Sequence, residues 1–136
     1  MSQLHLKIVT PEKLILEEDV DQVNVTTLEG QLGILPHHTA LMAKIIPGEM
    51  RIKKGSKEDV MASGSGFLQM ENNALTIMTD LAVDEKDIDE RAVEVAKKRA
   101  EEALEQKLTD EEYATTIAIL EKSIAQLRIK RRHRSI

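Results

Sequence analysis

Every glycine and proline of the 136-residue chain falls within its first 66 residues. The glycines stand at 30, 33, 48, 55, 64 and 66, and the prolines at 11, 36 and 47. These two residue types punctuate turns. The chain therefore reads as a turn-rich half followed by a half that runs in long uninterrupted elements.

The turn-rich half alternates in hydrophobicity. Leu4, Leu6 and Ile8 alternate with His5 and Lys7, as a half-buried strand requires. Leu14 to Leu16 is a short apolar run after the Thr10-Pro11-Glu12 turn, and Val23 and Val25 alternate with Asn24 and Thr26 until Glu29-Gly30-Gln31 interrupts them. Ala40 to Ile46 closes at Pro47-Gly48. Two hairpins are predicted, one turning at Gly55-Ser56 and one at Asn72-Asn73, with Gly64-Ser65-Gly66 between them as a bulge or close backbone approach. Strands at this spacing predict a β-sandwich or barrel.

The second half predicts two helices. Asp87 followed by Glu90 suggests a capping box and a helix running to about Leu108; Thr109 to Glu112 is a second such box, restarting a helix almost without a loop. Tyr113, Ile117, Leu120, Ile124 and Leu127 form a stripe with coiled-coil spacing. Ile88, Ala92, Val95, Ala96, Ala100, Ala103, Leu104 and Leu108 offer the facing seam of an antiparallel hairpin. An Ala methyl contributes only about 0.8 kcal/mol on burial, against roughly 1.5–3 for Leu or Ile. The expected hairpin is closely packed and weakly held. Strand signals persist to about Thr79, so the domain boundary is placed after Asp84, giving 1–84 and 85–136.

Several functions are disfavoured. The absence of Cys excludes disulfides, thiolate metal sites and Cys catalysis. Phe67 and Tyr113 are the only aromatics, too few for base-stacking platforms, and no nucleic-acid partner is expected. No apolar run approaches the length of a membrane span, and the N-terminus has no signal-peptide pattern, so a start near Met1 in a cytoplasm-like compartment is expected. His37 and His38 are sequence neighbours without a carboxylate at ligand spacing, and no metal site is expected. No nucleophile or phosphate-loop motif occurs, and Asp87/Asp89 and Glu101/Glu102 read as solvated carboxylates, so no catalytic residue is assigned. The end of the chain is basic: Lys122, Arg128, Lys130, Arg131, Arg132 and Arg134 face Glu121 alone. It is a dipole-matched helix end or a docking segment for an acidic surface.

The stretch Glu29-Gly30-Gln31-Leu32-Gly33-Ile34-Leu35-Pro36-His37-His38-Thr39-Ala40-Leu41 resembles a segment of the ε subunit of rotary F-type ATP synthases. Pro47 to Ile52, Gly64 to Leu68, Asn73 to Ala82 and Ala118 to Arg128 extend the resemblance over the whole chain, with Ser65 where that family usually has Gly. The resemblance implies an α+β protein by segments: a β-sandwich of about ten strands, then a C-terminal antiparallel two-helix hairpin. It implies a non-catalytic central-stalk subunit that couples rotation of the c ring, driven by protons or sodium, to the catalytic head. The sandwich would contact the γ subunit and the c-subunit ring, with Glu29, Gly30, Gln31, Leu32, Gly33 and His38 at rotor contacts. The hairpin would switch between folded and extended states and inhibit ATP hydrolysis, its basic residues meeting acidic surfaces of the α and β subunits. The implied location is peripheral, on the cytoplasmic face of a bacterial inner membrane or the stromal face of a thylakoid.

Two features depart from the family's patterns. Some members bind ATP through Ile/Leu-Asp-x-x-Arg-Ala; here Ile88-Asp89 lead to Ala92 and Val93 where Arg and Ala belong, with Arg91 one place early and Gln126 where relatives tend to have Arg. No cofactor is therefore expected, and an ATP-sensing hairpin is the alternative reading, followed by a nucleic-acid module using the basic helix. Gln31 stands where an acidic residue is common.

Overall fold

A computed structural model describes residues 3–134, and their side chains as far as Arg132. The described residues form two compact units that divide between Asp84 and Glu85.

The first unit has ten strands: β1 (Leu4–Val9), β2 (Leu14–Val20), β3 (Gln22–Thr27), β4 (Gly30–Ile34), β5 (Leu41–Ile45), β6 (Gly48–Lys54), β7 (Lys57–Ser63), β8 (Gly66–Glu71), β9 (Ala74–Thr79) and β10 (Ala82–Asp84). They hydrogen-bond in the order β10-β7-β6-β3-β5-β8-β9-β1-β2, with β4 paired to β3. Strand β3 is the hinge of the sandwich. Its first residues pair with β6 and its last, Thr27, with Ile45 of β5, so the sheet divides into two leaves there. Period-two patterning sends one face of each leaf inward. Leu4, Leu6, Ile8, Leu68, Leu75 and Ile77 are fully buried from one leaf, and Val23, Met50 and Ile52 meet the same core from the other.

Both predicted hairpins form. β6 and β7 turn at Gly55, at φ 62°, and β8 and β9 turn at Asn72 and Asn73, at φ 52° and 60°. Paired left-handed residues match the right-handed twist of the flanking strands. The Gly64-Ser65-Gly66 segment is a close approach: a Cβ on Gly66 would strike the Met78 carbonyl. One expectation is refined at Glu29-Gly30. The strand breaks there as read, but the chain resumes at once as β4, because Gly30 at φ 115° reverses it within a two-residue turn.

The second unit opens with a 3₁₀ turn, Glu85–Asp87, followed by α1 (Glu90–Ala103) and α2 (Asp110–Arg134). The first capping box is corrected. Asp89, not Asp87, is the N-cap: it is extended, and its carboxylate accepts from the Ala92 amide at 3.1 Å. Asp87 belongs to the preceding turn, and Ile88 between them is buried. The end of α1 is corrected too. Glu105 and Gln106 donate to carbonyls only three residues back, so the helix tightens and stops at Ala103 rather than Leu108. Six residues separate the helices. The second capping box forms as read: Thr109 Oγ1 accepts from the Glu112 amide at 3.1 Å, and Glu112 accepts from the Thr109 amide at 3.0 Å.

The expected seam is also corrected. Ala92 and Val95 are exposed, whereas Val93, Ala96 and Ala103 are half-buried and Ala100 is buried. Ala96, Ala100 and Ala103 belong to the expected row, and Val93 replaces Ala92 and Val95 in a stripe that keeps a spacing of three and four. On α2, Leu127 is buried and Ile117 and Leu120 are half-buried, but Tyr113 and Ile124 are exposed. Arg131 lies beside Glu90 and Glu94, which fixes the antiparallel register. Counting back at 1.5 Å per residue puts the end of α1 level with about Leu120. Tyr113 lies beyond it, with no facing helix. A 3.5-residue repeat also drifts around a straight helix, which carries Ile124 off the contact row.

Candidate functional site

Polar bonds inside the turn hold the tip of the β3–β4 hairpin. Thr27 Oγ1 donates to the Gly30 carbonyl at 2.7 Å and accepts from the Glu29 amide at 3.3 Å. Gln31 Nε2 donates to Thr26 Oγ1 at 2.7 Å, and that hydroxyl donates onward to the Glu49 carbonyl at 2.9 Å. The Leu28 amide donates to the Lys44 carbonyl at 3.0 Å, which ties the tip to β5. Between the two lies a cleft of about 420 Å³, lined by Thr27 to Leu32 and Leu41 to Lys44. Four of the six expected rotor-contact residues, Glu29, Gly30, Gln31 and Leu32, line it. Gly33 follows on the same strand, facing Asn24 across the β3–β4 pair.

His38 is not part of this cleft. β4 runs away from the tip, and a five-residue strand spans roughly 17 Å. His38 sits past its far end, half-buried, with Nδ1 2.8 Å from the Thr39 carbonyl. The expected set is therefore divided between the two ends of β4. His37 next to it adopts φ 64°, and its amide donates to Asn73 Oδ1 at 2.8 Å.

The structure adds exposed apolar residues that motif reading passed over. Leu28 and Met42 flank the cleft, 66% and 68% exposed, and Phe67 and Met78 are 52% and 41% exposed. Phe67 pairs across strands with Met78 on one side and Lys44 on the other, while Met42 pairs with Gln69, so these side chains share the outer face of β5, β8 and β9. Grouped exposed apolar side chains mark interaction surfaces. Leu28 was detectable in the sequence as a large apolar residue in a polar turn.

A charged cluster was also missed. His5 Nε2 lies 2.8 Å from Glu17 and Nδ1 2.9 Å from Asp19, across the β1–β2 pair. Glu17 first and Asp19 second hold the His5 imidazole above its ordinary pKa, and His5 holds Glu17 below the usual carboxylate range. With both ring nitrogens facing carboxylates, this is an imidazolium clamp. Its two oxygens lie on opposite sides of one ring and cannot share a metal ion. Among the described residues no group of three His, Asp or Glu side chains is placed to hold one.

The basic residues of α2 do not act as one set. Lys130 donates to the Glu85 carbonyl at 3.1 Å, and Arg131 binds Glu94 and lies 3.7 Å from Glu90. Arg128 and Arg132 are exposed, and Lys122 is half-buried. The side chain of Arg134 lies outside the described residues. Asp89, which would open an ATP motif, is occupied as the α1 cap. No described helix is long and apolar enough to cross a membrane.

Comparisons with known proteins agree along the whole chain. Residues 3–85 match the family described as ATP synthase, delta/epsilon chain, beta-sandwich domain, and residues 86–131 match its long alpha-helix domain. The chain is 43% identical to an ATP synthase epsilon chain of Halalkalibacterium halodurans over 106 residues, 78% of this chain and 80% of that one. It is 33% identical to an ATP synthase epsilon chain of Caldicellulosiruptor bescii over 129 residues, 95% of this chain and 94% of that one. A chain in the Euglena gracilis mitochondrial ATP synthase structure, OSCP/F1/c-ring in rotational state 1, superposes with a TM-score of 0.74 at 25% identity, over 90% of this chain and 78% of that one. A chain in the central stalk and c-ring structure of the Tetrahymena thermophila mitochondrial ATP synthase shares the fold, with a TM-score of 0.68 at 18% identity, over 95% and 97% of the two chains.

Proposed function

The chain belongs to the ATP synthase delta/epsilon family, and from that membership we propose that it is a non-catalytic rotor subunit of an F-type ATP synthase, with its sandwich seated on the other rotor subunits and its hairpin restraining ATP hydrolysis. The cleft carries this reading most directly. It brings the Glu29–Leu32 loop together with exposed Leu28 and Met42, an apolar surface on a chain with no catalytic constellation among its described residues. Such a surface suits a permanent protein contact. The c ring meets the loop, and γ meets the outer face around Phe67 and Met78. The assembly then places the chain peripherally on the membrane side facing the catalytic head, the cytoplasmic face in a bacterium.

The inhibitory part rests on the hairpin. Its α1 stripe is mostly Ala, so folded and extended states differ by only a few kcal/mol, as a switching element needs. Exposed Arg128 suits an acidic groove on the α and β subunits and speeds capture there. Arg131 and Lys130 are engaged within the folded hairpin and become available only when it opens.

The test is to delete residues 109–136 and assay ATP hydrolysis by the reconstituted catalytic complex. Hydrolysis rises while the truncated chain still assembles. Unchanged hydrolysis with intact assembly refutes the inhibitory role, and failed assembly of a folded sandwich refutes the rotor role.

A further inference from the structure

Two non-glycine left-handed turns meet at the end of the sandwich remote from the cleft. One is the Asn72-Asn73 turn joining β8 to β9, and the other is His37, at φ 64° in the loop between β4 and β5. Asn73 links them. Its Oδ1 accepts from the His37 amide at 2.8 Å, its Nδ2 donates to the Gln3 carbonyl at 2.9 Å, and its own carbonyl accepts from the His5 amide at 3.0 Å.

The turn alone does not explain this side chain. A pair of left-handed residues in a two-residue hairpin loop accepts Asn-Gly at least as well as Asn-Asn. What Gly lacks is the carboxamide, and the carboxamide satisfies main-chain groups from two other segments. For His37 the bond anchors a turn. The His38 amide closes on the Leu35 carbonyl at 3.2 Å, with Pro36 and left-handed His37 between them, as a turn with proline second allows. The Asn73 oxygen binds the His37 amide from outside that turn and ties it to the β8–β9 turn, and His38 follows directly.

We propose that Asn73 is a positioning residue for the 35–40 loop: its side-chain oxygen anchors the Leu35–His38 turn to the β8–β9 turn and so aims His38 and the start of β5 at the rotor partner. The inference rests on the reading of His38 as a partner-contact residue. It adds that the geometry of that contact is set from a turn 36 residues away in sequence.

Three variants separate the possibilities. Asn73→Gly keeps the turn and removes both side-chain bonds. Asn73→Asp keeps an acceptor for the His37 amide and loses only the donation to Gln3. Asn72→Gly alters the same turn without touching His37. Amide exchange at His37 is read by NMR in the full isolated chain, and affinity is read against the rest of the ATP synthase rotor prepared without this chain. Asn73→Gly exposes the His37 amide to several-fold faster exchange and weakens rotor binding about two- to tenfold, the equilibrium worth of one hydrogen bond. Asn73→Asp and Asn72→Gly leave both near the parent values. Unchanged His37 exchange in Asn73→Gly overturns the proposal outright. Faster exchange with unchanged affinity also overturns it, and His38→Ala then tells which premise failed. If His38→Ala weakens binding, the contact is real and Asn73 does not position it. If His38→Ala has no effect, the reading of His38 as a contact has failed as well.

Discussion

Replacing Asp89 by Ala tests how the hairpin is held. Asp89 supplies a side-chain acceptor at the start of α1, to the Ala92 amide at 3.1 Å, while its backbone carbonyl accepts from Val93 at 3.0 Å. Substitution removes the first bond and leaves the second. The loss of an N-cap side chain costs about 1 kcal/mol. In α1 that is a large share, because the helix has 14 residues, near the marginal length for an isolated helix, and its only buried residue is Ala100. The cap is worth about as much as burying one Ala methyl. Native-state amide exchange at Ala92 and Val93 should accelerate about fivefold, the population change that about 1 kcal/mol implies. Asn caps as well as Asp, so Asp89→Asn should stay within about twofold of the parent, the residue being the lost charge at the helix N-terminus. Amides of Leu68 and Ile77 in the sandwich should not respond to either change. Unaltered exchange at Ala92 in Asp89→Ala refutes the cap as the feature holding this turn. A uniform acceleration through both units refutes its being local.

Two further outcomes follow from the sandwich. The His5 pKa is raised in the folded chain, so the clamp stabilises fully below the ordinary histidine value of about 6.5 and is lost as pH rises through the folded value; the Glu17 pKa is lowered, so that carboxylate's share is lost only in acid, as pH falls through its folded value. Melting temperature should therefore fall, relative to His5→Gln, as pH rises above the ordinary histidine value and through the folded one, and parallel pH profiles of the two proteins would show the clamp to be energetically silent. Gly66→Ala drives a Cβ into the Met78 backbone, whereas Gly55→Ala meets only its left-handed φ of 62° with open space around it. Overpacking costs about 1–3 kcal/mol and each kcal/mol moves the melting temperature of a domain this size by about 4–8 °C. Gly66→Ala should melt distinctly lower than Gly55→Ala, and equal melting temperatures would show that β8 moves away from β9 without cost.

Where the determinant was local, the sequence revealed it. Leu4, Leu6 and Ile8 name the buried face of β1 by alternation alone, and Thr109 with Glu112 closes a capping box three residues apart. Asp87 and Glu90 carry the same signature and mislead, because the motif cannot say which of two nearby aspartates must cap once Ile88 turns inward. The seam of the hairpin departs from its expected row at Ala92, Val95, Tyr113 and Ile124 for a related reason. A 4-3-4-3 stripe describes a helix with a partner along its whole length, and α1 stops near the level of Leu120. At the candidate site, the Glu29–Leu32 loop was legible through a resemblance and Leu28 through its misplaced hydrophobicity. The His5–Glu17–Asp19 clamp required the β1–β2 register, and the Asn73 carboxamide acts on a loop far along the chain. No pattern within a window of residues encodes either.

Strand β1 lies between β2 and β9, and it runs parallel to β9, with His5 level with Ala74. On the ribosome β1 can thus pair with β2 at once, but its other edge stays open until β9, near the end of the sandwich, has been synthesised. During that interval an alternating apolar edge is exposed, the kind of edge that recruits strands from neighbouring chains. Closing it joins distant segments, a slow step in folding. The described elements after β10 are helices with local contacts, so translation of the hairpin gives the sandwich further time to close. The subunit therefore reaches its assembly partners with its most adhesive edge already covered by its own β9.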